Sequence, residues 1–277
     1  MKKIFILVFG LFSCCDKAIC QSFTNPVSNR YIFLSTQSCN HYDVFSIIGN
    51  QASLQQFKKS AAGIYCEKKY FLNELNNIMI AAALKTKAGN IGFIFNYNGF
   101  SDFNEYKIGI LYSKKINEKI DIGIQFNYFL QNIKNFGSEN AFSADFSMMF
   151  HLTPEVNSGI QVINPVSSIL KNHEQKKLPY IIKYGLGYDV SNECFIGIDF
   201  IKEEKKKIDF ISGIQYQLKQ KVFLKFGLNI ASMNSSFAVG FGLNKIKVDL
   251  SVSFHPQLGA TPGLSLCSLN SINHTTN

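Results

Sequence analysis

The sequence is poor in charge and in proline, with only 6 prolines, and after its first twenty residues it has no long apolar run. Lys, Arg, Asp and Glu together make 17% of the 277 residues, against roughly a quarter in an ordinary soluble domain. With mean hydropathy just above zero, the chain falls outside the disordered class, which combines high charge with few apolar residues. A bundle of transmembrane helices needs spans of about 20 apolar residues, and none follows the leader. Signatures of catalysis and metal binding are missing too. The five histidines, His41, His151, His173, His255 and His274, form no H-E-x-x-H. No C-x-x-C exists to suggest zinc or redox chemistry, and no G-x-S-x-G marks a nucleophile elbow. His151 and Ser147 share a strand face but stand too far apart for direct proton transfer, and His151 and His255 read as polar residues where strands end. Glu203-Glu204 lies in a lysine-rich, solvated loop. Gly185-Leu186-Gly187 and Gly240-Phe241-Gly242 fall on strands and lack a phosphate-loop context. The expectation is no catalytic residue, no metal, no cofactor and no enzyme.

What is present begins with an export signal. Lys2 and Lys3 precede an apolar stretch from Ile4 to Phe12, followed by small residues. That is the order of a secretory signal peptide, too short to remain as a spanning helix. Cleavage after Ala18-Ile19-Cys20 would leave Gln21 first; the alternative treats Leu11-Phe12-Ser13-Cys14 as a lipobox with lipid on Cys14. Beyond the leader only Cys39, Cys66, Cys194 and Cys267 remain, widely spaced. They read as buried apolar thiols, with a disulfide as the alternative in an oxidising compartment. The net charge of +9 comes from lysines at segment ends, such as Lys114-Lys115 and Lys205-Lys206-Lys207, not from a clustered face. Nucleic acid is therefore not an expected partner.

The apolar residues recur with period two, the mark of a half-exposed strand. Ile120, Ile122, Ile124, Phe126, Tyr128 and Leu130 share one face, opposite Asp121, Gly123, Gln125, Asn127 and Gln131. Ile246, Val248, Leu250, Val252 and Phe254 alternate with Lys247, Asp249, Ser251, Ser253 and His255. Phe142 to Phe150 and Val222 to Ile230 repeat the pattern. About fourteen such segments run from residue 60 to 269. Most are close to the length of about 9–11 residues that a tilted transmembrane strand needs. A large sandwich or propeller is the soluble alternative.

Connections form a second pattern. Tight turns are expected at Thr86-Lys87-Ala88, Lys115 to Glu118, His151 to Pro154, Ser191-Asn192, Lys219-Gln220 and Asn244-Lys245. Longer loops are expected at 98–104, 133–139, 165–179 and 255–261. Short turns on one side and longer loops on the other is the construction of an outer-membrane barrel. The expected fold is thus all-β, a closed transmembrane antiparallel barrel of about 14 strands, with the apolar face toward lipid. Gly109, Gly123, Gly185, Gly187, Gly197, Gly213, Gly227, Gly240 and Gly242 fall on the polar, inner face, where they would make room for a plug or a narrow lumen. The same face carries Lys107, Asp121, Asp145, Lys183, Asp189, Asp199, Asp209, Lys225, Lys247 and Asp249. Their mixed signs suggest internal pairing that holds a plug, with no one-sign selectivity ring.

At particular residues the chain resembles a known family. Asp43-Val44-Phe45-Ser46-Ile47-Ile48-Gly49-Asn50-Gln51-Ala52-Ser53-Leu54, followed by Ala62-Gly63-Ile64-Tyr65, is similar to the entry segment of FadL-type barrels. Supporting stretches are Phe71 to Leu75, Ala82 to Gly89, Asn104 to Gly109 and Leu258 to Pro262. FadL-type barrels are long-chain fatty-acid transport proteins of the Gram-negative outer membrane. The nearer resemblance is to their PorV/PorQ-like relatives, some of which serve type IX secretion. The resemblance implies an N-terminal hatch entering the lumen, with Asn50, Gln51 and Ala52 at the family's Asn-Pro-Ala and Gln51 in place of the proline. Domains are then expected as signal peptide 1–20, hatch 21–58, barrel 59–270 and tail 271–277. The implied role is an accessory of protein secretion or envelope assembly; the alternative is a hatch-gated transporter of hydrophobic small molecules. Expected partners are outer-membrane lipid, secretion or envelope proteins, and an apolar ligand. The one sizeable loop that could take such a ligand carries Ile169, Leu170, His173 and Leu178.

Overall fold

The computed structural model describes residues 34–165, 178–204, 206–218 and 221–269. The leader with Cys14, residues 21–33 of the expected hatch, the loop residues Ile169, Leu170 and His173, and the tail 271–277 lie outside the described residues.

Fourteen strands form where the sequence alternates: β1 (Ala61–Lys68), β2 (Asn76–Lys85), β3 (Asn90–Gly99), β4 (Phe103–Asn117), β5 (Ile120–Ile133), β6 (Gly137–His151), β7 (Val156–Ile163), β8 (Ile181–Asp189), β9 (Cys194–Glu203), β10 (Asp209–Leu218), β11 (Val222–Asn229), β12 (Asn234–Leu243), β13 (Ile246–His255) and β14 (Gly259–Ser268). Each pairs antiparallel with its neighbours in sequence. β1 then closes on β14, with Gly63 opposite Cys267 and Glu67 opposite Gly263. Closure leaves no strand edge unpaired, as backbone inside a bilayer requires.

Burial follows the alternation in the sense opposite to a soluble domain. On β5, Ile122 and Phe126 are exposed while Asp121, Gln125 and Asn127 are buried; on β13, Leu250 and Phe254 are exposed while Lys247 and Asp249 are buried. An outer surface of this composition is satisfied by lipid, not by water. Aromatic pairs mark its upper margin: Tyr97 with Tyr106 at 5.2 Å and Tyr128 with Phe142 at 5.0 Å between ring centroids. Just beyond them Asn132 Nδ2 donates to Asn104 Oδ1 at 2.9 Å, and the apolar surface gives way to polar side chains. At the opposite margin the Tyr112 hydroxyl donates to the Ala88 carbonyl at 2.8 Å.

The expected contrast between short and long connections is weaker than the sequence suggested. The turns that lead from even to odd strands are short, as expected. However, β3–β4, β5–β6 and β13–β14 are also joined by tight connections, 100–102, 134–136 and 256–258. For the third the reason is that β14 begins pairing already at Gly259; for the first two it is that β4, β5 and β6 keep pairing beyond the lipid margin. They reach 15, 14 and 15 residues and absorb the polar stretches that looked like loops. At the tip of β5–β6, Asn135 and Gly137 take left-handed backbone (φ 66° and 94°), and Phe136 is 87% exposed.

The chain before β1 runs inside the barrel. It contains 3-10 stretches at Leu34–Gln37 and Gln51–Gln56 and one helical turn, α1 (Ser46–Gly49). Its apolar side chains Val44, Phe45, Ile47, Leu54 and Phe57 form a buried core with Ala61, Tyr65, Met79, Ala81, Ala83, Ile94, Leu111, Ala238 and Cys267 of the wall. This explains why β2 is apolar on both faces from Ile78 to Leu84. One face meets lipid and the other meets the lumenal segment, and a strand covered on both sides reads as a continuous apolar run. The lumenal segment occupies the half of the barrel nearest the even-to-odd turns, the turn end.

Candidate functional site

The site is built where the lumenal segment meets the wall. Asn50 is extended (φ −159°, ψ 117°), and its side chain accepts the Ala52 N–H at 2.9 Å, capping the 3-10 stretch that follows. A short polar side chain at this position replaces a missing backbone acceptor. Gln51, in the place of the family's proline, is the first residue of that stretch, where proline and other residues alike are accommodated because no internal N–H bond is lost. Its amide reaches the wall, Nε2 donating to Gln125 Oε1 at 3.0 Å. The Ala52 N–H also lies 2.9 Å from Ser147 Oγ, Ser113 Oγ donates to the Ala52 carbonyl at 3.3 Å, and Asn50 Nδ2 donates to the Met148 carbonyl at 3.2 Å. Asn50, Gln51 and Ala52 thus bind the walls of β4, β5 and β6. Gly123 permits this contact: a Cβ there would stand 2.5 Å from the Ala52 nitrogen and 2.6 Å from the Gln51 carbonyl carbon. Gly185 and Gly187 similarly leave room for Gln37.

The ten charges read from the sequence as lumen-facing fall into separate groups. Lys225, Lys247 and Asp249 converge on Asp43, a residue of the lumenal segment outside the predicted set. Asp43 Oδ2 lies 3.2 Å from Lys225 Nζ and 3.0 Å from Lys247 Nζ, and Asp249 Oδ2 lies 3.3 Å from each. Two cations and two anions cancel, and the four side chains are at most 6% exposed. Burial alone would raise the Asp43 carboxyl, but the two ammonium groups overcome it and hold it down to about 2. Gly240 gives Asp249 its room, since a Cβ would collide with that carboxylate.

Elsewhere Lys183 bridges to Asp199 at 2.7 Å and donates to the Gly49 carbonyl at 3.3 Å, tying α1 to β8 and β9. Asp145 accepts from Asn127 Nδ2 at 2.7 Å and the Asn164 N–H at 3.0 Å. Lys107 Nζ sits 5.5 Å above the Phe129 ring, and Asp209 accepts from Asn229 Nδ2 at 2.6 Å. Asp189 receives the Ser38 hydroxyl and, at 3.2 Å, the Cys39 N–H. Among the described residues Asp121 pairs with no lysine, and its Oδ2 meets His151 Nε2 at 2.9 Å.

Sequence reading set His151 aside as a polar residue at a strand end, and the structure corrects that. The β5–β6 register puts Asp121 opposite Met149, so His151 follows two residues on, along the same inner face. The ring also reaches Asn157 on β7 and Cys39 of the lumenal segment. Aligning the β5–β6 hairpin about residues 134–136 would have revealed the Asp121 contact; nothing in the spacing pointed to Cys39. All four described cysteines are free, and only Cys267 is buried. The reading of all four as buried apolar thiols therefore fails for Cys39, Cys66 and Cys194, which are half-buried.

Among the described residues no group of three or more His, Cys, Asp and Glu is arranged to hold a metal ion. A cavity of about 10 Å³, lined by Ile48, Gln51, Met79, Ile94, Asn96, Lys107, Gln125, Asp145, Gln161 and Ile163, has room for about one water molecule. The arrangement can anchor the lumenal segment to the wall through paired groups.

No family model matches the sequence, and no curated protein matches it. Solved structures do. The chain is similar to the CymD monoaromatic hydrocarbon channel, at 10% identity and a TM-score of 0.58 over 81% of this chain and 91% of that one. It is also similar to the Pseudomonas putida toluene transporter TodX, at 8% identity and 0.58, over 86% and 96%. A Pseudomonas aeruginosa FadL homologue gives 7% identity and 0.55, over 87% and 96%. The fold is shared with these channels. At such identities the likeness carries the closed 14-strand antiparallel barrel and nothing finer.

Proposed function

We propose that this chain is an outer-membrane channel of the FadL type, exported by its leader, that passes apolar small molecules when the lumenal segment releases the turn end of the barrel. In this reading residues 21–58 are the hatch, and Asn50, Gln51 and Ala52 seat it against β4–β6. The observation that carries it is Asp43, a lumenal residue locked between Lys225 and Lys247 of the wall. Separating such a buried cluster leaves charges unpaired, so it favours the one position in which all four groups meet. The apolar cargo is supported by what the segment covers. Met79, Ala81, Ala83, Ile94 and Leu111 face it from β2, β3 and β4, and release would bare a lumenal wall that suits hydrocarbon and repels polar solutes. The hydrocarbon cargoes of CymD and TodX point the same way.

The secretion-accessory role is the second reading, and it rests on the sequence resemblance to PorV/PorQ-like barrels. The tightly filled lumen favours it. None of the three structures described above belongs to that branch by its description. Planar-bilayer conductance and uptake of toluene into loaded vesicles, for the full chain and for a chain lacking residues 21–58, separate the two. Transport by the truncated chain alone, or by the Asp43→Asn chain, supports the hatch-gated channel. Failure of both to conduct or transport overturns it and leaves the accessory reading.

A further inference from the structure

At the turn-end mouth, side chains from four segments form a line that begins at one sulfur. Cys39 Sγ lies 3.5 Å from His151 Nδ1 and 3.5 Å from Asn157 Oδ1. On its other side the imidazole reaches Asp121, Nε2 to Oδ2 at 2.9 Å. Cys39 is half-buried and the His151 side chain is 20% exposed, so a small molecule at the rim can approach. Asp121 and Cys39 approach opposite nitrogens of the ring and so cannot converge on one metal ion. Thiol, imidazole and carboxylate in line form a relay, the arrangement that activates a nucleophile.

Two further features belong to this site. Asn157 Oδ1 stands 2.7 Å from the same His151 Nδ1, a contact that requires that nitrogen to carry a proton. With an acceptor at each nitrogen the ring is held as an imidazolium, and its Nδ1–H faces the sulfur, where it favours a thiolate. The Asn157 amide nitrogen, in a residue 1% exposed, has no partner among the described residues. A buried amide donor beside the sulfur is costly unless something else accepts from it, and a bound ligand would. Cys66, Cys194 and Cys267 have no histidine hydrogen-bonded to sulfur among the described residues.

We propose that Cys39 is a nucleophilic thiol, primed by His151 and Asp121, that exchanges with small disulfides at the turn-end mouth of the barrel. The thiol loses its proton to water, and the thiolate faces the His151 Nδ1–H, which Asn157 Oδ1 also accepts, while Asp121 holds the charged ring from Nε2. The sulfur attacks one sulfur of the disulfide. A new S–S bond forms as the old one breaks, and the departing thiolate takes a proton from water. The disulfide is the only co-reactant. An adduct on Cys39 lies beside the anchor that the Cys39 N–H and Ser38 make to Asp189, so exchange at this sulfur bears on how the lumenal segment is held.

The test exposes the refolded full chain in detergent to glutathione disulfide at neutral pH and follows each cysteine by peptide mass mapping. Cys66 and Cys194 share the outer strand face with Ile64 and Ile196, so the internal comparison is Cys39 itself in the urea-unfolded chain. Cys39 is expected to gain glutathione about tenfold faster in the folded chain than in the unfolded one. Asp121→Asn and His151→Gln should remove that advantage, and His151→Gln should also move the acid limb of the Cys39 pH–rate profile. Folding of each variant is read from its heat-modifiable band on gels. Equal Cys39 rates in the folded and unfolded unaltered chain would overturn the proposal, as would an undiminished Cys39 rate in folded Asp121→Asn. Should neither variant fold, the comparison within the unaltered chain decides.

Discussion

Asp43 and Lys247 stand 204 positions apart in the sequence and 3.0 Å apart inside the barrel. The same Asp43 oxygen meets Lys225, and both lysines share Asp249. Removing one member of such a buried group leaves an uncompensated charge, at a cost of about 3–5 kcal/mol. Asp43→Asn therefore leaves two lysines against one aspartate and should undock the lumenal segment without unfolding the barrel. Limited proteolysis is the check: new cuts within residues 34–58 in a chain that keeps its heat-modifiable band. A segment as protected as in the unaltered chain would show that the cluster does not hold it.

The same cluster sets a pH window. The Asp43 carboxyl is brought down from 3.8 to about 2. A depressed carboxyl contributes stability that is fully present above its unfolded value and is lost as pH falls toward its folded one. Docking of the segment should thus be constant from neutral pH down to about 5 and weaken only between about 4 and 2. Protease protection measured with an acid-active protease follows this directly. Release already complete at pH 5 would mean that other groups control docking.

Gly123 offers a steric version of the test. An alanine methyl would press on backbone atoms of Gln51 and Ala52, which cannot rotate away as a side-chain tip can. Gly123→Ala should cost about 1–3 kcal/mol, as overpacking does, whereas Ile122→Leu on the lipid face should cost less than about 1.5 kcal/mol. Urea midpoints of the folded band compare the two. Equal shifts would contradict the assignment of inner and outer faces.

The barrel was legible because period two survives wherever one face meets lipid and the other a polar lumen; β5 and β13 show it residue by residue. It blurs on β2, where Met79, Ala81 and Ala83 are apolar because the lumenal segment covers them. A strand apolar on both faces was itself a sign of that cover. Loop lengths were misread because polar residues such as Asn104, Asn132 and Asn140 continue the ladder above the lipid margin. Asp43 was seen in the sequence as part of a resemblance, not as a counter-ion, since its partners come from β11 and β13. Cys39 and His151 escaped for the same physical reason: their meeting depends on barrel closure around the segment, and no local spacing encodes it.

The outer face can be tested where it is most exposed to lipid. Leu250 lies in the middle of β13 and is 56% exposed, while its neighbour Ser251 points inward and is 9% exposed. A cation near the bilayer midplane costs a transmembrane barrel about 2–4 kcal/mol, because the guanidinium must be drawn to the headgroups or hydrated by a defect. Leu250→Arg should accordingly lower the folded yield in phosphatidylcholine vesicles, and Ser251→Ala should leave it nearly unchanged. The comparison is informative because the two residues share one strand and one depth and differ only in the direction of the side chain. If Leu250→Arg folded as well as the unaltered chain, Leu250 would not face hydrocarbon, and the reading of the apolar band as a membrane-facing surface would fall.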